Sequence, residues 1–300
     1  MNYLIDAACG SSIGKVRGNN EDNFLFGGNH LPRDNRGQMP PLNLYGTFDG
    51  NVYMAVFDGM GGMDHGEAAS ETAAESMRQL TLNSDFPPEA LEDACQQVNR
   101  AVWQAQTALG THNVGTTLAM LCFRDDQVHA VNIGDSRIFG LRGDRLVQIS
   151  ADHTDEAYMK EKGIVGRKPR LTQYLGMDPG QVRLEPYLTR GSLQTGDIYL
   201  ICSDGLTDML DNETIRQLLT VSGTASACTA ALIGAALEKG GHDNVTVIVC
   251  RILEQNKSGR IENDTNASQS PMARLGDLGV SWGRKLWSGI QDTAKHIRRN

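Results

Sequence analysis

Six short apolar runs punctuate this chain: Val52–Phe57, Thr117–Phe123, Val128–Ile133, Arg137–Leu141, Ile198–Cys202 and Val245–Ile252. Each is rich in β-branched or large apolar residues and is bounded by Gly, Asp or Asn, so each reads as a strand. The runs between Thr117 and Leu141 follow one another with room only for tight turns, which predicts antiparallel hairpins. Three segments read as helices instead: Glu67–Leu82, rich in Ala and Glu; Glu89–Leu109, opening after Pro87-Pro88; and Ala225–Leu237, closed by Gly240-Gly241. Clustered strands and blocks of helix predict an α+β fold rather than regular βαβ alternation.

Composition supports a sizeable core and excludes wholesale disorder, since 40% of the 300 residues are hydrophobic and 21% charged. The length suits one large domain with an appendage. We place the domain at 1–253, a flexible linker at 254–272 and an amphipathic basic segment at 273–300. In that last segment Leu275, Leu278, Trp282, Leu286, Ile290 and Ile297 recur at helical spacing, interrupted by Gly276, Gly279, Gly283 and Gly289. It reads either as a helix docked on its own domain or as one that contacts a partner or a membrane surface. Residues 27–50 read as a loop or hairpin insertion. No apolar run reaches the ~20 residues of a membrane span, and Met1–Asp6 lacks the pattern of a secretory signal. The six cysteines form no Cys-x-x-Cys pair and mostly sit inside apolar runs, so they read as reduced and buried in a cytoplasmic protein.

Charge is unevenly spread. From Glu254 onward, eight Lys/Arg face five Asp/Glu, a surplus of three against the chain's net −8, which puts −11 on the rest. So acidic a body disfavours nucleic-acid binding. It also contains a recurrent pattern: Asp beside Gly or Asn at the ends of the apolar runs, as in Asp58-Gly59, Gly134-Asp135, Asp204-Gly205 and Asp243-Asn244, with Glu21-Asp22 just ahead of Phe24-Leu25-Phe26. One Asp-Gly pair is an ordinary turn. Carboxylates gathered from five such places would repel one another unless cations neutralised them, and oxygen-only donors favour Mg²⁺ or Mn²⁺.

Taken in order, Arg17-Gly18-Asn19-Asn20-Glu21-Asp22, Asp58-Gly59-Met60-Gly61-Gly62, Gly115-Thr116-Thr117, Gly134-Asp135-Ser136-Arg137, Asp152-His153-Thr154, Ser203-Asp204-Gly205-Leu206-Thr207-Asp208 and Asp243-Asn244 resemble the bacterial PPM (type 2C) metal-dependent serine/threonine phosphatases, over about residues 5–252. The resemblance implies a four-layer α-β-β-α sandwich of two antiparallel sheets flanked by helices. It further implies two core Mn²⁺ or Mg²⁺ ions on Asp58, the Gly59 carbonyl, Asp204 and Asp243, with Glu21 and Asp22 holding metal-bound waters. Arg17 would clamp the substrate phosphate, Asn244 would orient its neighbour, and Asp135, Asp204 and Asp208 would hold a third, weaker ion. The implied reaction is attack of a metal-bridging hydroxide on a phosphoserine or phosphothreonine, in phosphoproteins made by a Ser/Thr kinase. The alternative is a pseudophosphatase, or a regulator that binds phosphoproteins without turnover.

Two departures from the family pattern stand out. Met60 occupies a position where some relatives carry His, and methionine cannot donate a proton; His65 and His153 are read as structural. Asp152–Gly176 resembles a shortened flap beside the active site, and its basic stretch Glu161–Arg170 is read as a solvated loop in preference to a phosphopeptide attractor.

Overall fold

Period-two alternation splits the apolar runs between two interiors. In β4 (Val52–Met60), Tyr53, Ala55 and Phe57 face one core while Met54 and Val56 face another. In β6 (Leu118–Arg124), Leu118, Met120 and Cys122 are divided in the same way from Ala119, Leu121 and Phe123. Strands covered on both faces read as unbroken apolar segments, which is why these runs were conspicuous in the sequence. The structure, a computed structural model, describes residues 3–48, 50–61, 65–82, 86–111, 114–221 and 223–254. The linker and amphipathic segment expected beyond 254 lie outside the described residues.

The remaining strands are β1 (Leu4–Ser12), β2 (Asp22–Phe26), β3 (Gly37–Thr47), β5 (Gly115–Thr116), β7 (Gln127–Ile133), β8 (Arg137–Arg142), β9 (Arg145–Gln148), β10 (Tyr187–Ser192), β11 (Ile198–Cys202) and β12 (Val245–Leu253). One sheet runs β3-β1-β12-β11-β8-β9 and the other β10-β7-β6-β4-β2, with β5 paired to β4. The pairings within each are antiparallel. Helices α1 (Gly66–Thr81) and α2 (Leu91–Ala108) cover the outer face of the second sheet, through Ala69, Ala73, Met77, Leu91 and Val98. Of the helices α3 (Glu156–Lys162), α4 (Asp204–Thr207), α5 (Asn212–Val221) and α6 (Ala225–Glu238), the last two cover the first sheet through Ile215, Leu219, Leu232 and Ile233. The inter-sheet core joins Ile5, Ile201 and Ile248 of the first sheet to Phe24, Phe26, Met54, Val56 and Leu121 of the second. This is the expected four-layer α-β-β-α sandwich.

The helix boundaries follow local chemistry. Thr224 caps α6 by accepting from the Ala227 amide at 3.2 Å. Pro87-Pro88 opens a 3-10 turn, Pro88–Ala90, ahead of α2. The 27–50 expectation needs correction: much of it is β3, an 11-residue strand at the sheet edge with a bulge against β1 between Cys9 and Ser11. Pro40 and Pro41 obscured it, and an edge tolerates them because one side of the strand needs no donors. All six cysteines are buried and none is in a disulfide, as expected. Among the described residues, no helix is long and apolar enough to cross a membrane.

Candidate active site

Strand register brings the acidic positions to one end of both sheets. Asp22, opening β2, lies directly opposite Asp58 near the end of β4. In the other sheet Cys202, the last residue of β11, pairs with Val247 of β12 and Arg137 of β8. Asp204, Asp243 and Asp135 therefore all emerge beyond the same ends. The two sheets are tied there by Ser203, whose Oγ donates to Asp22 Oδ2 at 2.7 Å and accepts from the Thr246 amide at 2.9 Å. Sequence reading had not singled out that serine as functional.

Each carboxylate stands on fixed backbone. The Asp58 carbonyl accepts from the Thr117 amide and from Thr116 Oγ1, both at 2.9 Å, and its amide donates to Thr117 Oγ1 at 2.9 Å. Next to it, the Gly59 amide donates to the Glu21 carbonyl at 3.1 Å. A Cβ at Gly59 would stand 2.5 Å from that oxygen and nearer still to the Gly66 carbonyl, so only glycine fits. Asp208 lies one helical turn after Asp204, with its amide donating to the Asp204 carbonyl at 2.8 Å. Asn244 ties down three points of one loop: its Oδ1 accepts from the Glu21 amide at 2.8 Å, and its Nδ2 donates to the Ile13 and Asn19 carbonyls at 2.9 and 3.0 Å. The Lys15 amide also donates to the Gly241 carbonyl at 2.8 Å. Thus held, the loop carries Arg17 to Asp243, where Nη2 donates to Oδ2 at 2.6 Å.

Burial and crowding push Glu21, Asp22, Asp58, Asp135 and Asp204 upward. Asp58 is held well above the ordinary aspartate value, first by burial and then by the charges of Asp204, Asp22, Asp135 and Asp243. Burial, reinforced by Asp204 and Asp243, lifts Asp22 to about 7 against the hydrogen bonds of Ser203 and Thr246. Burial and Asp204 lift Asp135 to about 6. Glu21 rises by burial and by repulsion from Glu67, a neighbour that sequence reading missed. All seven expected carboxyls therefore share one region, with Arg17 and Lys168 as the cations paired to it.

Lys168 revises the reading of the basic stretch 161–170 as a solvated loop. Its Nζ donates to Asp204 Oδ2 and, at 2.9 Å, to Asp208 Oδ2. His153 fixes a turn through its ring, and His65 opens a helix through its backbone. His153 Nδ1 accepts from the Gly134 amide at 3.2 Å and its own amide donates to the Gly134 carbonyl at 2.9 Å, fixing the turn that carries Asp135. His65, at φ 80°, precedes α1, and its carbonyl accepts from the Ala68 and Ala69 amides.

The donor chemistry suits divalent ions: oxygen-only, strongly anionic and deprived of water by burial. Among the described residues, no three His, Cys, Asp or Glu side chains form a ready-made metal cage. Mutual repulsion and the pull of Arg17 and Lys168 account for that spread.

Comparison with known proteins bears on the same residues. A family model described as Protein phosphatase 2C matches residues 43–238. The chain is 32% identical over 235 residues to the serine/threonine protein phosphatase PstP of Mycobacterium tuberculosis, an alignment that covers 75% of this chain and 45% of PstP. It therefore spans less than half the length of that relative. To the serine/threonine phosphatase stp of Listeria monocytogenes it is 30% identical over 251 residues, covering 79% of this chain and 91% of stp. The solved catalytic domain of PstP in complex with two manganese ions shares 30% identity at a TM-score of 0.65, over 84% of this chain and all of that one. PppA, described as a key regulatory component of T6SS in Pseudomonas aeruginosa, shares 28% identity at 0.66, over 83% of this chain and 98% of its own. The sandwich, the order of the acidic motifs and these matches agree, and the chain belongs to the protein phosphatase 2C family.

Proposed function

We propose that this chain is a divalent-metal-dependent phosphatase acting on phosphoserine and phosphothreonine in proteins. The observation that carries this reading is the meeting of Asp22, Asp58, Asp135, Asp204 and Asp243, from distant stretches of chain, at one end of two sheets. Asp58, Asp204 and Asp243, with the Gly59 carbonyl, would hold two core ions, and Glu21 and Asp22 would accept hydrogen bonds from water beside them. Mn²⁺ or Mg²⁺ bound there supplies Lewis acidity and lowers the pKa of water.

The reaction forms one P–O bond to water and breaks the P–O bond to the serine or threonine oxygen. For it, the protein offers position and charge. Arg17 keeps one amine on Asp243 while its half-exposed guanidinium faces solvent, where a planar fork of donors suits a phosphate dianion. Met60 has no proton to give, and Nδ1 of His153 is taken up by the Gly134 amide. The manganese-bound PstP domain supports the metal assignment by similarity, and substrates of this chemistry are the products of Ser/Thr kinases.

The test is hydrolysis of a phosphothreonine peptide by the metal-loaded full chain. Asp204→Asn is expected to lower kcat by a factor on the order of 100 to 1,000 or more, with the fold retained. A well-folded wild type that binds phosphopeptide but is inert with both Mn²⁺ and Mg²⁺ would overturn the enzyme reading.

A further inference from the structure

Lys168 is held in place by its surroundings. Asp155, just ahead of α3, clamps both flanks of the short loop that bears it. Arg167 Nη2 donates to Asp155 Oδ2 at 2.6 Å, the Arg170 amide donates to Asp155 Oδ1 at 2.8 Å, and the Asp155 amide donates back to the Arg170 carbonyl at 2.9 Å. Lys168 lies between those anchors, and a bridge between Thr154 and Leu171 closes the loop's base. The ammonium is thereby delivered to Asp204 and Asp208, two carboxylates one turn apart. Burial works against its charge, yet the two aspartates more than compensate and hold it above the usual lysine range. The resemblance led us to expect a third divalent ion on this pair together with Asp135.

We propose instead that Lys168 is the resident cation of the Asp204–Asp208 pair, presented by the Asp155-clamped loop, and that it excludes the third divalent ion there while the other oxygen of Asp204 stays available to the core ions. This inference rests on the metal-dependent reading above. A lysine carries one charge on three donors and stays attached, so at any free metal concentration it bonds both carboxylates and offsets half of their charge. Lys168 acts here through the carboxylates and is a positioning residue.

The test is Mn²⁺ stoichiometry of the metal-stripped full chain by equilibrium dialysis, with circular dichroism to verify folding. Lys168→Met is expected to bind one more Mn²⁺ per chain than wild type, and Asp155→Ala, which frees the loop, to gain the same ion in weaker form. Lys168→Arg, which keeps the charge, is expected to match wild type, and Asp208→Asn in the Lys168→Met background to lose the added ion. Equal stoichiometry and affinity in wild type and Lys168→Met would overturn the inference while leaving the phosphatase reading intact. A wild type that binds no Mn²⁺ at all would remove both.

Discussion

Asn244 is a single amide that ties three points of the loop between β1 and β2 to the start of β12, and it is almost fully buried. Replacing it with alanine leaves the part-buried Glu21 amide and Ile13 carbonyl without their partner, at up to about 1–3 kcal/mol for each, while the carbonyl of the exposed Asn19 can turn to water. Asn244→Ala is therefore expected to lower Tm by several degrees in a thermal melt and to weaken Mn²⁺ binding roughly 10–100-fold, because the loop that carries Arg17 and Glu21 loses its tie to the residue after Asp243. Titration gives a second prediction. Asp22 and Asp135 are raised to about 7 and about 6, so the metal-free fold holds protons that the unfolded chain releases near pH 4. Their stabilising contribution is complete below that value and is lost as pH rises through 6 and 7. Ion binding displaces those protons. The rise in Tm on adding Mn²⁺ should thus be larger at about pH 7.5 than at about pH 5.5, and equal shifts would contradict it. At this scale the acidic residues were legible because all but Asp208, which lies between Thr207 and Met209, carry a glycine or asparagine beside them. Lys168 was not, since its partners lie 36 and 40 residues further along and no local spacing announces them.

β4 binds the two halves of the design together: its sides feed two cores, and its last residues feed the site. Gly59→Ala would drive a methyl group into the Glu21 and Gly66 carbonyls, forcing β4 away from β2 and α1. It is expected to cost both stability and metal affinity, read together by thermal melts with and without Mn²⁺; a variant with unchanged melts would show that the backbone yields there cheaply. By contrast, Leu232→Ala on α6, buried against the other sheet, is expected to lose about 2–5 kcal/mol in urea unfolding. Its Mn²⁺ affinity should stay near that of wild type. Elements buried on both faces were legible in sequence as apolar runs. β1 and β3 were not, because Ala7, Ala8, Cys9 and Gly10 in one and Pro40 and Pro41 in the other dilute the signal that β-branched residues give. Only pairing with the rest of the sheet makes strands of them.

Across the whole molecule, the site lies on the seam where the two sheets end, joined there by Ser203 and Asp22. The layered arrangement could be named from motif order, whereas strand order could not, because pairing between distant segments leaves no periodic trace. In that order β1 and β12 are neighbours, in register from Leu4↔Leu253 to Ser12↔Val245. During synthesis the opening strand must therefore wait, one edge unsatisfied, until nearly the entire domain has left the ribosome. Asp243 and Asn244 arrive only just before its partner does. A nascent chain stalled short of Val245 would leave β1 without its second neighbour, and the acidic site would assemble as a single late event rather than grow with chain length.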